Sequence, residues 1–208
     1  MNIDQSATIE AFLNSLAAKE PTPGGGAVAA MTGAMSAGLA EMVVNYSLGK
    51  PAPAAYQTEL QTVLAELTRA RQLMTGLMAE DQAAYTALTA ARKLPATEPR
   101  RQEMFAAALQ ACLSVPQAVA ATALAILELC DKICGKVNKY LLSDLAIAAD
   151  LATATVRCAA YNVKVNLGEL TDRQRREEIE ESTHRTVVKT LATIQRLSPA
   201  IWKRQGEK

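Results

Sequence analysis

Between Gly26 and Gly38 a small residue stands at every fourth position: Gly26, Ala30, Ala34 and Gly38, with Gly33 and Ala37 beside them. Residues four apart share one face of an α-helix. The stripe therefore strips a whole helical face of bulk and lets another backbone come close. Such a helix belongs at the centre of a helical bundle or at a subunit contact. The composition agrees, with half of the residues apolar, only 4% aromatic and alanine abundant. Alanine is the best helix former, whereas aromatic and β-branched residues favour strands. The expected fold is all-α, a single-domain bundle of about six helices over residues 1–208, with no internal repeat or low-complexity linker marking a second domain.

Directly before the stripe runs Pro21-Thr22-Pro23-Gly24-Gly25-Gly26. Two prolines exclude a regular helix there, and three glycines permit close approach of backbone to another group. A helix that opens after such a turn presents unpaired N–H groups, which suit an anion, a carbonyl or a polarised water. A tight turn with a packing face accounts equally well for these residues taken alone.

The remaining helices follow from apolar spacing. The first covers about Ser6–Ala18, with Ile9, Phe12, Leu13 and Leu16 on its inner face and Ser6 or Asp4 as cap; the second ends near Gly49. The third covers about Ala54–Ala91, with an apolar stripe from Leu60 through Leu67, Met74 and Met78 to Tyr85 and Leu88. Asp81 falls on that stripe. A carboxylate there is paired, hydrogen-bonded or shifted in pKa, because a lone buried charge is expensive. It is either bonded to a neighbouring helix or acts as a general acid or base facing an internal cleft. The fourth helix covers about Pro99–Cys134, with Pro116 expected to kink or interrupt it. A fifth, from Asn138 or Ser143 to Leu167, places Asp144, Leu151, Thr155 and Asn162 on one face, with Asn166 slightly to the side. Asp144 and Asn162 are then roughly 27 Å apart along the axis at ~1.5 Å per residue, too far to act on one carbon from one helix. A Thr171-x-x-Gln174 capping box opens the sixth helix, whose inner side carries Ile179, Val187, Val188, Leu191, Ile194 and Ile201.

Several chemistries are disfavoured. A formal charge of +1 offers no global attraction for nucleic acid or an anionic membrane. The uncharged runs Pro21–Ala40 and Met104–Leu127 lack the Leu/Ile/Phe/Val density of a spanning helix. Cys112, Cys130, Cys134 and Cys158 read as reduced, buried thiols of a cytoplasmic protein rather than a metal cluster. His184, the one histidine, reads as a packing or surface residue. No nucleophile elbow, phosphate loop or dinucleotide fingerprint is present in the sequence. Proton transfer and addition of water to an already electrophilic carbon fit the carboxylates, amides, hydroxyls and lysines that remain.

Several ordered motifs then stand together. Pro-Thr-Pro-Gly-Gly-Gly lies at 21–26, Asn45-Tyr46-Ser47-Leu48-Gly49-Lys50 at 45–50, Asp81-Gln82-Ala83-Ala84-Tyr85 at 81–85 and Lys93-Leu94-Pro95 at 93–95. Val115-Pro116, Ser143-Asp144 after Asn138, and Asn162-Val163-Lys164-Val165-Asn166-Leu167 complete the set. In order and spacing they resemble the cyclodeaminase half of formiminotransferase-cyclodeaminase and the stand-alone methenyltetrahydrofolate cyclohydrolases, along almost the whole chain. Ser47, Tyr85 and Lys136 depart from the family's usual Thr, Phe and Gly, and Tyr46 is a further replacement.

The resemblance implies an all-helical homodimer that takes tetrahydrofolate one-carbon derivatives as substrates, without a metal or redox cofactor. It implies hydrolysis of 5,10-methenyltetrahydrofolate to the 10-formyl form or, as the alternative, closure of 5-formiminotetrahydrofolate with loss of ammonia. A folate-binding or interaction protein without activity is the rival from another class. Asp81 is the first expectation for proton transfer and Asp144, beside Ser143, the second. Gly24, Gly25 and Gly26 would bring backbone N–H groups to the ligand. Lys50 and Lys93 would meet glutamate carboxylates. Asn162 and Asn166 would meet the ring or a bridging water, with Asn45 and Ser143 among the binding positions.

Overall fold

The computed structural model describes residues 8–50 and 53–206. Six α-helices and one short 3-10 turn account for the regular structure of these residues: α1 (Ile9–Ala17), α2 (Gly25–Ser47), α3 (Ala54–Lys93), α4 (Arg101–Ile133), a turn at Lys139–Leu141, α5 (Leu142–Leu167) and α6 (Arg173–Gly206).

α2 is the central helix. Ala27, Ala30, Ala37, Ala40, Val43 and Val44 are fully buried, and α3 and α5 pack on either side of it. Gly33 shows why the stripe is small. A Cβ there would lie 2.6 Å from Cε of Met74 on α3 and 3.2 Å from Cγ2 of Thr155 on α5. Polar contacts fix the register. Ser36 Oγ donates to the Ala148 carbonyl at 2.7 Å, and the Asn138 N–H donates to Ser47 Oγ at 2.8 Å. Arg71 on α3 pairs with Glu41 on α2 at 2.7 Å. Residue numbers fall along α3 and α5 as they rise along α2, so both neighbours run antiparallel to it. α4 packs on α3 and α5, and α6 closes the bundle over α5 and α4. Among the described residues, α2 and α4 are each long and apolar enough to cross a membrane, contrary to the reading of their sequence, and about half of each apolar stretch is buried in the bundle.

Local chemistry differs from expectation at several points. Thr8, whose hydroxyl accepts the Ala11 N–H at 3.1 Å, caps α1; the expected caps Asp4 and Ser6 lie outside the described residues. Phe12 is buried, but Ile9 and Leu13 are exposed. α4 runs unbroken through Pro116. Asp172 rather than Thr171 caps α6, its carboxylate accepting the Arg175 N–H at 3.0 Å. On α6 Val188 and Leu191 face solvent, and Thr190 and Thr193 are buried instead. Their hydroxyls donate to the carbonyls of Thr186 and Lys189, so two polar residues fit an inward face. Cys158 is exposed while Cys112, Cys130 and Cys134 are buried, and all four are free.

Candidate functional site

α2 begins with Gly24 as its N-cap, without a side chain to cap it, and the first helical bond is the Val28 N–H to the Gly24 carbonyl at 3.1 Å. The N–H groups of Gly25, Gly26 and Ala27 therefore have no acceptor inside the helix. The Asp81 carboxylate from α3 sits against this end. A Cβ on Gly26 would lie 2.0 Å from Oδ1 and 2.4 Å from Cγ of Asp81, so the glycine leaves the room that the carboxylate fills. Burial raises the Asp81 pKa above the usual carboxylate range, and a hydrogen bond from the Ala27 backbone partly offsets this.

α5 supplies the facing wall. Asn162 Nδ2 donates to the Cys158 carbonyl at 3.1 Å, and its Oδ1 lies 3.6 Å from where a Gly25 Cβ would stand. Asn166 Nδ2 donates to the carbonyls of Cys112 and Asn162 at 2.9 and 3.0 Å. Every acceptor here is a carbonyl, which fixes the amide orientations: nitrogens toward backbone, oxygens elsewhere. Gly24, Gly25, Gly26, Asp81, Asn162 and Asn166 line one cleft of about 220 Å³ together with Pro21, Thr22, Tyr85, Cys112 and Val165. Among the described residues, the lining contains one ionisable carboxylate and no Lys, Arg or His. Burial, with the Asp81 charge adding to it and the nearby Arg92 charge partly offsetting it, pushes the Cys112 thiol up, so at neutral pH it is a protonated wall and not a nucleophile.

The expected site residues divide into separate groups. Lys50 lines a different cleft of about 540 Å³, with Tyr56, Lys136, Asn138, Tyr140 and Arg204 among its walls. Lys136 there pairs with Glu59 at 2.6 Å. Exposed Ser143 and half-buried Asp144 occupy the first turn of α5, and exposed Asn45 the last turns of α2. The antiparallel register sets these residues at the far end of α2 from Asp81. Lys93 is exposed at the C-terminal end of α3, about 18 Å along the helix from Asp81 at ~1.5 Å per residue. Among the described residues, no three His, Cys, Asp or Glu side chains converge as metal ligands would.

Tyr85 and Cys112 were read as core residues from sequence, yet both line the Asp81 cleft. Tyr85 is 42% exposed, although its α3 neighbours Ala84 and Leu88 stay buried in a second core cluster. Its spacing of four residues from Asp81 was the available signal.

The family model described as Formiminotransferase-cyclodeaminase matches residues 8–185. A methenyltetrahydrofolate cyclohydrolase of Methylorubrum extorquens is 37% identical over 175 residues, covering 82% of this chain and 84% of that one. The rat formimidoyltransferase-cyclodeaminase is 31% identical over 170 residues, 80% of this chain but 31% of that longer one. Among solved structures, formiminotetrahydrofolate cyclodeaminase from Thermotoga maritima superposes with a TM-score of 0.88 at 28% identity, covering 96% of this chain and 98% of that one.

Proposed function

The chain belongs to the formiminotransferase-cyclodeaminase family, and from that premise we propose that it is a methenyltetrahydrofolate cyclohydrolase with Asp81 as its proton-transfer group. The observation that carries this reading is the lining of the Asp81 cleft, with one desolvated carboxylate, amide oxygens and no cationic side chain. The one-carbon bridge of 5,10-methenyltetrahydrofolate is an amidinium-like cation. An acceptor-rich pocket with a single carboxylate complements it, and the carbon is electrophilic enough for proton transfer to suffice without a metal or redox cofactor.

Water attacks the bridging carbon as Asp81 takes one of its protons. The C–N5 bond of the tetrahedral adduct breaks as Asp81 returns that proton to N5. The hydroxyl proton leaves to solvent as the formyl C=O forms on N10. A carboxylate whose pKa is raised toward working pH serves both directions of this transfer. The Gly25 and Gly26 N–H groups face the oxygen, and Tyr85 offers an aromatic face to a ring of the folate.

The cleft, at about 220 Å³, is below the ~300–1,000 Å³ of a site that encloses a whole ligand. It takes the one-carbon end, and the remainder of the folate extends beyond it. We propose that a second copy of the chain covers that remainder. Val165 at the cleft is 77% exposed, and Tyr161, Ile147, Met35 and Tyr46 on α5 and α2 are each at least half exposed, an apolar surface that suits a homodimer. Ser143, Asp144 and Lys50 of the partner would then serve the far part of the ligand, with Lys93 toward the glutamate. The chain acts as a single domain in the cytoplasm, in keeping with its four free cysteines.

Offering the purified protein both folates tests the reading. A cyclohydrolase consumes the methenyl absorbance. Its appearance from the formimino substrate, without that consumption, assigns the cyclodeaminase activity named for the Thermotoga maritima and rat relatives instead.

A further inference from the structure

α4 stays helical through Pro116, and a proline has no N–H to give the carbonyl four residues earlier. That carbonyl belongs to Cys112, a residue only 8% exposed. A buried carbonyl without a partner is costly. Here the missing donor comes from another helix: Asn166 Nδ2 on α5 reaches the Cys112 carbonyl at 2.9 Å across 54 residues of sequence. The second hydrogen of the same amide goes to the Asn162 carbonyl at 3.0 Å.

We propose that Pro116 and Asn166 form a brace for the site, the proline opening a carbonyl on α4 so that the asparagine can lock the last turns of α5 against it. Asn166 is then a positioning residue. Both of its N–H donors are committed to backbone, and only Oδ1 is left for the cleft. The brace acts on the reacting groups through a tight space beneath the cleft, where Gly26, Asp81, Pro116 and Asn162 pack together. If α5 slides along α4, the gap between Asn162 and Asp81 changes directly, and misplacement on this scale reduces turnover far from the chemistry. A proline that served only to bend α4 would leave Asn166 energetically independent of residue 116.

The test is a double-mutant cycle of Pro116→Ala and Asn166→Ala, read by thermal melting and by turnover. With Pro116 present, Asn166→Ala strands the Cys112 carbonyl and lowers Tm by about 5 °C. With alanine at 116, the restored N–H satisfies that carbonyl, and the same substitution lowers Tm by less than about 2 °C. Equal losses in both backgrounds overturn the brace. In the wild type, the Asn166 side-chain amide protons exchange with solvent more slowly than those of exposed asparagines; free exchange also overturns it, whether or not the proline variant folds. The kinetic arm rests on the cyclohydrolase reading. Pro116→Ala lowers kcat about tenfold with KM changed less than about threefold, and an unchanged kcat removes the positioning role. Wild-type protein inactive on both folates refutes the cyclohydrolase reading and leaves the melting and exchange results to decide the brace.

Discussion

Asp81 occupies the volume that a side chain on Gly26 would need, its Oδ1 lying 2.0 Å from the position of a Gly26 Cβ. The two residues come from different helices, so the last glycine of the 21–26 segment is required by a carboxylate 55 positions later in the chain. Gly25 has no such restriction, its nearest neighbour being 3.6 Å from a built Cβ. Gly26→Ala forces the carboxylate to rotate away or α2 to shift, at about 1–3 kcal/mol of stability, with loss of turnover. Gly25→Ala leaves the melting temperature within about 2 °C. Denaturant unfolding of both variants checks the contrast.

Asp81 also sets a pH dependence of stability. Its folded-state pKa is raised, so between the unfolded and folded values the folded protein binds the extra proton. Stability contributed by this group is therefore present below the unfolded value and falls as pH rises through the folded one. Asp81→Asn removes the desolvated charge, and the variant melts at or above the wild-type temperature at neutral pH. The wild type gains on the variant as pH falls. Melting curves across pH 3–8 are the check, and a variant markedly less stable at neutral pH contradicts the assignment.

Met74 is fully buried beside Gly33, with its Cε and Sδ filling the space that the missing Cβ leaves. Met74→Ala opens a cavity at the α2–α3 contact and costs about 2–5 kcal/mol. Gly33→Ala in the same background recovers part of that loss, because the added methyl enters the vacated volume. Denaturant midpoints of the two single variants and the double variant measure the recovery.

The proposed homodimer, in which Asp144 of one copy serves the Asp81 cleft of the other, predicts complementation between subunits. Asp81→Asn and Asp144→Asn chains, each impaired as a homodimer, form one intact site per hybrid dimer when refolded together. Random pairing restores about a quarter of wild-type turnover. A mixture no more active than its components shows that the two carboxylates do not meet across the interface.

The bundle was legible from local signals. Proline and glycine at 21–26, 49–53, 95 and 99 separate apolar periods of helical length, and of the two places the small-residue stripe allowed for α2, the bundle centre or a subunit contact, the centre is where it packs, between α3 and α5. Helix faces were less legible: Ile9, Leu13, Val188 and Leu191 match an inward period yet lie exposed, because the period identifies apolar positions without showing which have a neighbour. The site was legible in part. Asp81 stood out as a charge on an apolar stripe, and the glycines as an uncapped helix start. Their meeting, and that of Asn162 and Asn166 with them, depends on antiparallel register between helices distant in sequence. Pro116 was read as a kink or an interruption, since a proline shows that a carbonyl is freed but not that Asn166, fifty residues on, will fill it.

The most direct measurement is the loss of methenyl absorbance, followed with wild-type protein and with Asp81→Asn at matched folded concentration. Wild-type protein accelerates hydrolysis above the uncatalysed rate, and the variant, equally well folded, loses about 10²–10⁴-fold in kcat. Near-normal turnover by folded Asp81→Asn contradicts the central role assigned to this carboxylate.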